Sequence, residues 1–140
     1  MELKFTKAEM QTYLEEIFPQ VHGMFGIDRL DAEGVTMRLH ENERHLRPGG
    51  TVSGPAMFSL ADVTAYVAVL GFVGREALAV TTHCSIDFMR KPEAGVDLLA
   101  RGKVLKLGKA LAVVDVLLQS EGMEAPVAHA SLTYSIPPKR

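Results

Sequence analysis

Residues 49–73 read GGTVSGPAMFSLADVTAYVAVLGFV, and Asp62 is the only charged side chain among them. This run constrains the chain more than any other. Pro55 suits a first helical turn, where a missing N–H loses nothing. The pattern predicts a helix from 55 to about 70, stopping near Gly71 or Gly74. A helix apolar on nearly every side must be surrounded by protein or by lipid. The run is about the roughly 20 residues that a bilayer core requires. Asp62, the flanking glycines and the lack of a positive cluster at either end argue instead for the buried helix of a soluble protein. A buried carboxylate is costly unless it is paired, hydrogen-bonded or neutralised.

The flanking sequence supplies what would surround such a helix. Thr6-Lys7-Ala8-Glu9 is a capping box, so an N-terminal helix is expected over about 6–18, with Met10, Tyr13, Leu14 and Ile17 on one face. Strands are expected at Phe25–Leu30 and Val35–His40, then a loop over 41–50. After the long helix, strand-like stretches occupy about 77–89, 97–107, 109–120 and 125–136. In the last, Ala128, Ala130, Leu132, Tyr134 and Ile136 alternate with polar residues. The order predicts an α+β fold with an antiparallel sheet. A sheet curling around the central helix would explain why that helix is apolar all round.

The chain has 140 residues, 47% apolar and 23% charged, with net charge −2. These values fit one domain over 1–140 and carry no basic face for nucleic acid. The single cysteine, Cys84, excludes an internal disulfide framework, and a reducing cytoplasmic setting is expected. MELKFTKAEM has no apolar core of a signal peptide. The histidines at 22, 40, 45, 83 and 129 show no ligand spacing, so no metal site is expected.

On a helix, Phe58, Ser59, Asp62, Tyr66 and Val69 share a face. Ser59 and Tyr66 are therefore candidates to hydrogen-bond Asp62, which by itself reads more readily as a structural acid tying helix to sheet than as a catalytic one. At the helix start, Ser53-Gly54-Pro55 follows Pro48-Gly49-Gly50. The first N–H groups of a helix have no intrahelical partner and favour negative charge. That suits an oxyanion hole, although on this stretch alone a plain N-cap is the better reading. In the strand at 79–89, strict alternation places Thr81 with His83, Ser85 and Asp87 on the more polar face.

The segment Gly54-Pro55-Ala56-Met57-Phe58-Ser59-Leu60-Ala61-Asp62, with Thr81-Thr82-His83-Cys84-Ser85-Ile86-Asp87-Phe88-Met89-Arg90, resembles hotdog-fold acyl-CoA thioesterases. The resemblance covers about residues 34–136 and is greatest to the phenylacetic-acid-degradation (PaaI-like) branch. It implies a hotdog fold, an antiparallel sheet wrapped around a long central helix. It implies hydrolysis of an acyl-CoA thioester, with coenzyme A as part of the substrate and no resident cofactor. Carried over by position, Asp62 is the general base or nucleophile, Gly54 the N–H donor to the thioester carbonyl, and Thr81 a residue that orients water. Where the branch has His-Gly-Gly, this chain has Ser53-Gly54-Pro55, which leaves Gly54 as the main donor. At the place of an upstream Asn it has His45-Leu46-Arg47-Pro48, so Arg47 or His45 would stand in.

Further substrate contacts are expected from Ser53, Pro55, Phe58 and Ser59 near the helix, and from Arg90 and Lys91, whose charge suits the phosphates of coenzyme A. Gly54 and Asp62 are eight positions apart, about 12 Å along one helix. One helix cannot easily serve one carbonyl with both. A catalytic reading therefore requires a homo-oligomer, a dimer or a dimer of dimers, in which Gly54 of one chain faces Asp62 of another. Two alternatives stay open: a hotdog-fold dehydratase or hydratase of acyl thioesters, and a non-catalytic acyl-CoA binder.

Overall fold

The computed structural model describes residues 2–21, 23–40 and 45–138. His22 and residues 41–44 of the expected loop lie outside the described residues. Helix α1 spans Lys7–Ile17, and a single 3-10 turn follows at Pro19–Val21. Strands β1 (Phe25–Asp31) and β2 (Gly34–Leu39) precede helix α2 (Gly54–Val73). Strands β3 (Val80–Phe88), β4 (Leu98–Leu107), β5 (Leu111–Ser120) and β6 (Pro126–Ser135) complete the chain.

The local signals behave as their chemistry requires. The Thr6 hydroxyl accepts from the Glu9 N–H at 3.1 Å, and the Glu9 carboxylate accepts from the Thr6 N–H at 2.9 Å. Both ends of the capping box are thus closed, and Met10, Tyr13 and Leu14 are buried beneath it. Gly74, at φ +92°, ends α2, and its N–H returns to the Leu70 carbonyl. Few residues other than glycine hold that backbone conformation.

All six strands form one antiparallel sheet in the order β1-β2-β4-β5-β6-β3. The hairpins β4-β5 and β5-β6 follow from short connections. Strand β3 does not pair with its successor β4. It crosses to the far edge beside β6, and β4 joins β2 instead. The sheet curls around α2, which packs on β2, β3, β4, β5 and β6. This is the hotdog arrangement.

Burial along α2 is uneven. From Val63 to Phe72 every residue is buried, among them Val67, Val69 and Leu70 at 0% exposure. The helix is long and apolar enough to cross a membrane by length and composition, but 78% of its most apolar window is buried within the fold. A Cβ on Gly102 of β4 would fall 2.8 Å from Thr64 Cγ2, so α2 reaches β4 only because that residue is glycine. The first turns differ. Pro55 and Phe58 are exposed and Asp62 is half-buried, so protein does not enclose the helix on every side there.

Candidate functional site

The chain enters α2 through a narrow turn. Leu46 and Val52 bridge, the Arg47 N–H donates to the Thr51 carbonyl at 2.8 Å, and Gly49 and Gly50 take φ of +105° and +81°. The Ser53 N–H donates to the His45 carbonyl at 2.7 Å, and the Ser53 hydroxyl then accepts from the Ala56 N–H at 3.3 Å. Ser53 is therefore an N-cap, and Pro55 sits in the first turn. Gly54 opens the helix at the wall of a groove of about 370 Å³. Arg47, Arg90 and Lys91 line the same groove, together with Thr51 and Phe88. Four of the expected site residues (Gly54, Arg47, Arg90 and Lys91) meet in one place although up to 44 positions separate them in sequence.

Arg90 is fixed by more than charge. Its Nε donates to the Pro126 carbonyl at 2.8 Å, and the Met89 and Arg90 N–H groups reach the Val127 carbonyl. The end of β3 is thereby tied to the start of β6. Phe88 stands over Gly54: a Cβ placed there would lie 3.7 Å from Phe88 Cζ, an ordinary contact. Among the described residues, nothing crowds Gly54. Thr51 is 5% exposed, and its hydroxyl oxygen has no hydrogen-bond partner among the described residues.

Asp62 lies two turns further along and does not line the groove. Its expected partners are elsewhere. The Ser59 hydroxyl donates to the Pro55 carbonyl at 3.0 Å, and the Tyr66 hydroxyl donates to the Ala77 carbonyl at 2.7 Å. Residues sharing a helix face need not reach each other when their own backbone or a neighbouring strand offers a nearer acceptor. The carboxylate is held by the sheet instead. The Thr81 hydroxyl donates to Asp62 Oδ1 at 2.5 Å, and the Tyr134 hydroxyl lies 2.7 Å from the same oxygen and 2.9 Å from the Asp62 main-chain carbonyl.

Thr81 reaches the helix because β3 is bulged. Thr81 pairs with Tyr134 and His83 with Thr133, so Thr82 is an extra residue in the ladder. Strict alternation fails at that point. Thr81 faces inward with Cys84 and Ile86, not outward with His83, Ser85 and Asp87, which are exposed. One inserted residue reverses the facing of everything on one side of it. The sequence carried no mark of this bulge.

The electrostatics around Asp62 follow from its half-buried place. Burial, and then the Asp62 charge, push the Tyr134 phenol far above its ordinary range. The Cys84 thiol is raised by burial and then by the same carboxylate. Burial takes the Tyr66 phenol to about 12. Both tyrosines stay protonated donors at neutral pH. Tyr134 was not among the sequence candidates. Its signal was present all the same: one hydroxyl in the otherwise apolar inward series Ala128, Ala130, Leu132, Tyr134. Of the remaining expected contacts, Pro55 and Phe58 lie exposed beside the groove's helix, and neither lines the groove.

The sequence profile of the thioesterase superfamily matches residues 49–127, more than half of the chain. A candidate thioesterase of a Silicibacter species, known from a crystal structure, is 64% identical. The match covers 99% of this chain and 96% of that one, with a TM-score of 0.93. Zebrafish thioesterase superfamily member 2 shares the fold at 22% identity, covering 98% and 99%, with a TM-score of 0.80. The phenylacetic acid degradation protein PaaI of Thermus thermophilus, in the form of a point mutant, shares it at 24% identity, covering 85% and 99%, with a TM-score of 0.73. No curated protein matches the chain.

Proposed function

The chain belongs to the thioesterase superfamily, and from that premise we propose that it hydrolyses an acyl-CoA thioester to the free acid and coenzyme A. The observation that carries the reading is the division of labour along α2. Gly54 opens the helix inside a basic groove, and two turns on, the only carboxylate of the helix is held by the Thr81 hydroxyl. Coenzyme A with its phosphates fits the side of Arg47, Arg90 and Lys91. A hypothetical thioesterase protein of Streptococcus pneumoniae with the same fold, 18% identical, has been crystallised with coenzyme A.

In this reading the thioester carbonyl accepts a hydrogen bond from the Gly54 N–H, where the helix dipole favours developing negative charge. Asp62 either takes a proton from the attacking water or attacks the carbonyl carbon itself, and Thr81 orients the carboxylate or the water. The C–S bond breaks and the thiolate leaves, taking up the proton that came from water. On the nucleophilic route a second step follows, in which water hydrolyses the acyl-aspartate anhydride to the free acid and restores Asp62. Because Gly54 and Asp62 stand about 12 Å apart on one helix, each site takes Gly54 from one protomer and Asp62 from another. Edge strand β3, with Val80, Phe88 and Met89 exposed beside Leu78, is the surface such a partner would cover. An uncovered apolar edge strand is otherwise an aggregation hazard. Two copies related by a two-fold axis would set the two α2 helices antiparallel and form two equivalent sites. A dimer of such dimers is equally compatible.

The test is thiol release from a panel of acyl-CoAs, wild type against Asp62→Asn. Loss of a positioned base or nucleophile lowers the rate about 10²–10⁴-fold with thermal unfolding unchanged. Gly54→Pro removes the donor, and extended Ser53 already suits a following proline. Mixing these two inactive variants restores about a quarter of the wild-type rate, because half the dimers then carry one intact site. No recovery means that both residues do not act across the interface. Tight acyl-CoA binding without release would mark a binder, and hydration of an enoyl-CoA a hydratase.

A further inference from the structure

We infer that Tyr134 is a positioning residue for Asp62: its hydroxyl and that of Thr81 clamp Oδ1, so that Oδ2 is the oxygen presented to the substrate. This rests on the reading of Asp62 as base or nucleophile and extends it to a residue and an atom. Three elements converge here. Asp62 comes from the exposed half of α2, Thr81 from the bulged edge strand, and Tyr134 from the neighbouring strand, directly opposite Thr81 in the ladder. Both hydroxyl donors point at Oδ1 and neither at Oδ2.

The proton inventory supports the same assignment. Two hydroxyls supply two protons. The acceptors in reach are Oδ1, the Asp62 main-chain carbonyl, which already lies inside the helical hydrogen-bond ladder, and for each hydroxyl the oxygen of the other, a weaker acceptor than a carboxylate. Oδ1 is therefore the better acceptor for both. Tyr134 is 3% exposed, and its ring is braced against Tyr66 with centroids 6.0 Å apart. A carboxylate gripped at one oxygen from two strands cannot rotate freely. An ungripped one would spend part of its time turned away from the substrate, and positional error of this kind is costly in rate.

A purely structural tie between helix and sheet would use the same contacts, so the experiment must separate the two roles. Tyr134→Phe keeps the ring and deletes the donor. Thr81→Val deletes the second donor, and Thr81→Ser retains it. Steady-state thiol release and thermal unfolding are measured for wild type and each variant. The expected result is a kcat about tenfold lower for Tyr134→Phe with KM within about twofold. Thr81→Ser should exceed Thr81→Val at least about fivefold in kcat. The double variant Tyr134→Phe/Thr81→Val should approach the rate of Asp62→Asn. A Tyr134→Phe enzyme that unfolds earlier yet keeps wild-type kcat overturns the inference while leaving the thioesterase reading in place. If Tyr134→Phe does not fold, equal kcat for Thr81→Ser and Thr81→Val overturns it. No thiol release from the wild type with any acyl-CoA overturns both readings.

Discussion

The two halves of α2 are made of similar residues and do different things. From Val63 to Phe72 the helix is packed on all sides, and Gly102 leaves just enough space for Thr64 to sit against β4. From Gly54 to Asp62 one side is open: Pro55 and Phe58 are exposed, Gly54 faces a groove, and Asp62 is half-buried. A sheet that wraps a helix covers its middle and far end and leaves the entry turns accessible. A continuous helix can therefore be core at one end and a site at the other. The half that holds the fold together has little room for chemistry. The half that could do chemistry is anchored by the first.

Three substitutions would break or sharpen this contrast. The largest effect is expected in the closed half. Leu70→Ala leaves a cavity at a fully buried position and should lower unfolding stability by about 2–5 kcal/mol. Its rate of thiol release per folded molecule should not change. Urea titration and steady-state assay check both, and a rate that falls with stability would mean the halves are not separable. A smaller effect is expected from Ser53→Ala, which removes the N-cap acceptor for the Ala56 N–H. Stability should drop about 1 kcal/mol, and here the rate should drop too, because a frayed first turn displaces Gly54. Stability lost with the rate intact would detach Gly54 from the chemistry. The smallest effect belongs to Arg47→Ala at the exposed rim of the groove. KM for an acyl-CoA should rise about threefold at low salt. The difference should shrink at high salt and vanish for a thioester that lacks the nucleotide. An equal KM for both substrates would move the coenzyme A phosphates away from this rim.

Much of this was legible in sequence because the signals were local. The capping box at Thr6 and Glu9, the Gly-Pro opening of α2 and its stop, expected near Gly71 or Gly74 and found at Gly74, each depend on a few neighbouring residues and the preferences of one backbone segment. The alternation of Ala128, Ala130, Leu132 and Tyr134 showed which side of β6 faces inward. What could not be read required knowing which strands meet. Nothing in the chain says that β3 crosses to pair with β6. Without that pairing, Tyr134 cannot be placed opposite Thr81, nor Arg90 beside Gly54. The bulge at Thr82 is a second such case, because an extra ladder residue is defined only against a partner strand. The assignment of Thr81 to the outer face failed for that reason. The assignment of Ser59 and Tyr66 to Asp62 failed because nearer acceptors, the Pro55 and Ala77 carbonyls, took their hydroxyl protons.

By itself the sequence determined that a long apolar helix with one acid lies inside an antiparallel sheet, since hydrophobic burial and helix start and stop chemistry are written residue by residue. It also set Gly54 and Asp62 about 12 Å apart on one helix, because helical rise is fixed. Only the tertiary structure decided what holds the acid. The two hydroxyls on Oδ1 come from strands 19 and 72 positions away, brought there by a crossover and a bulge that no local preference encodes. The acid that stood alone in its segment is alone only along the chain.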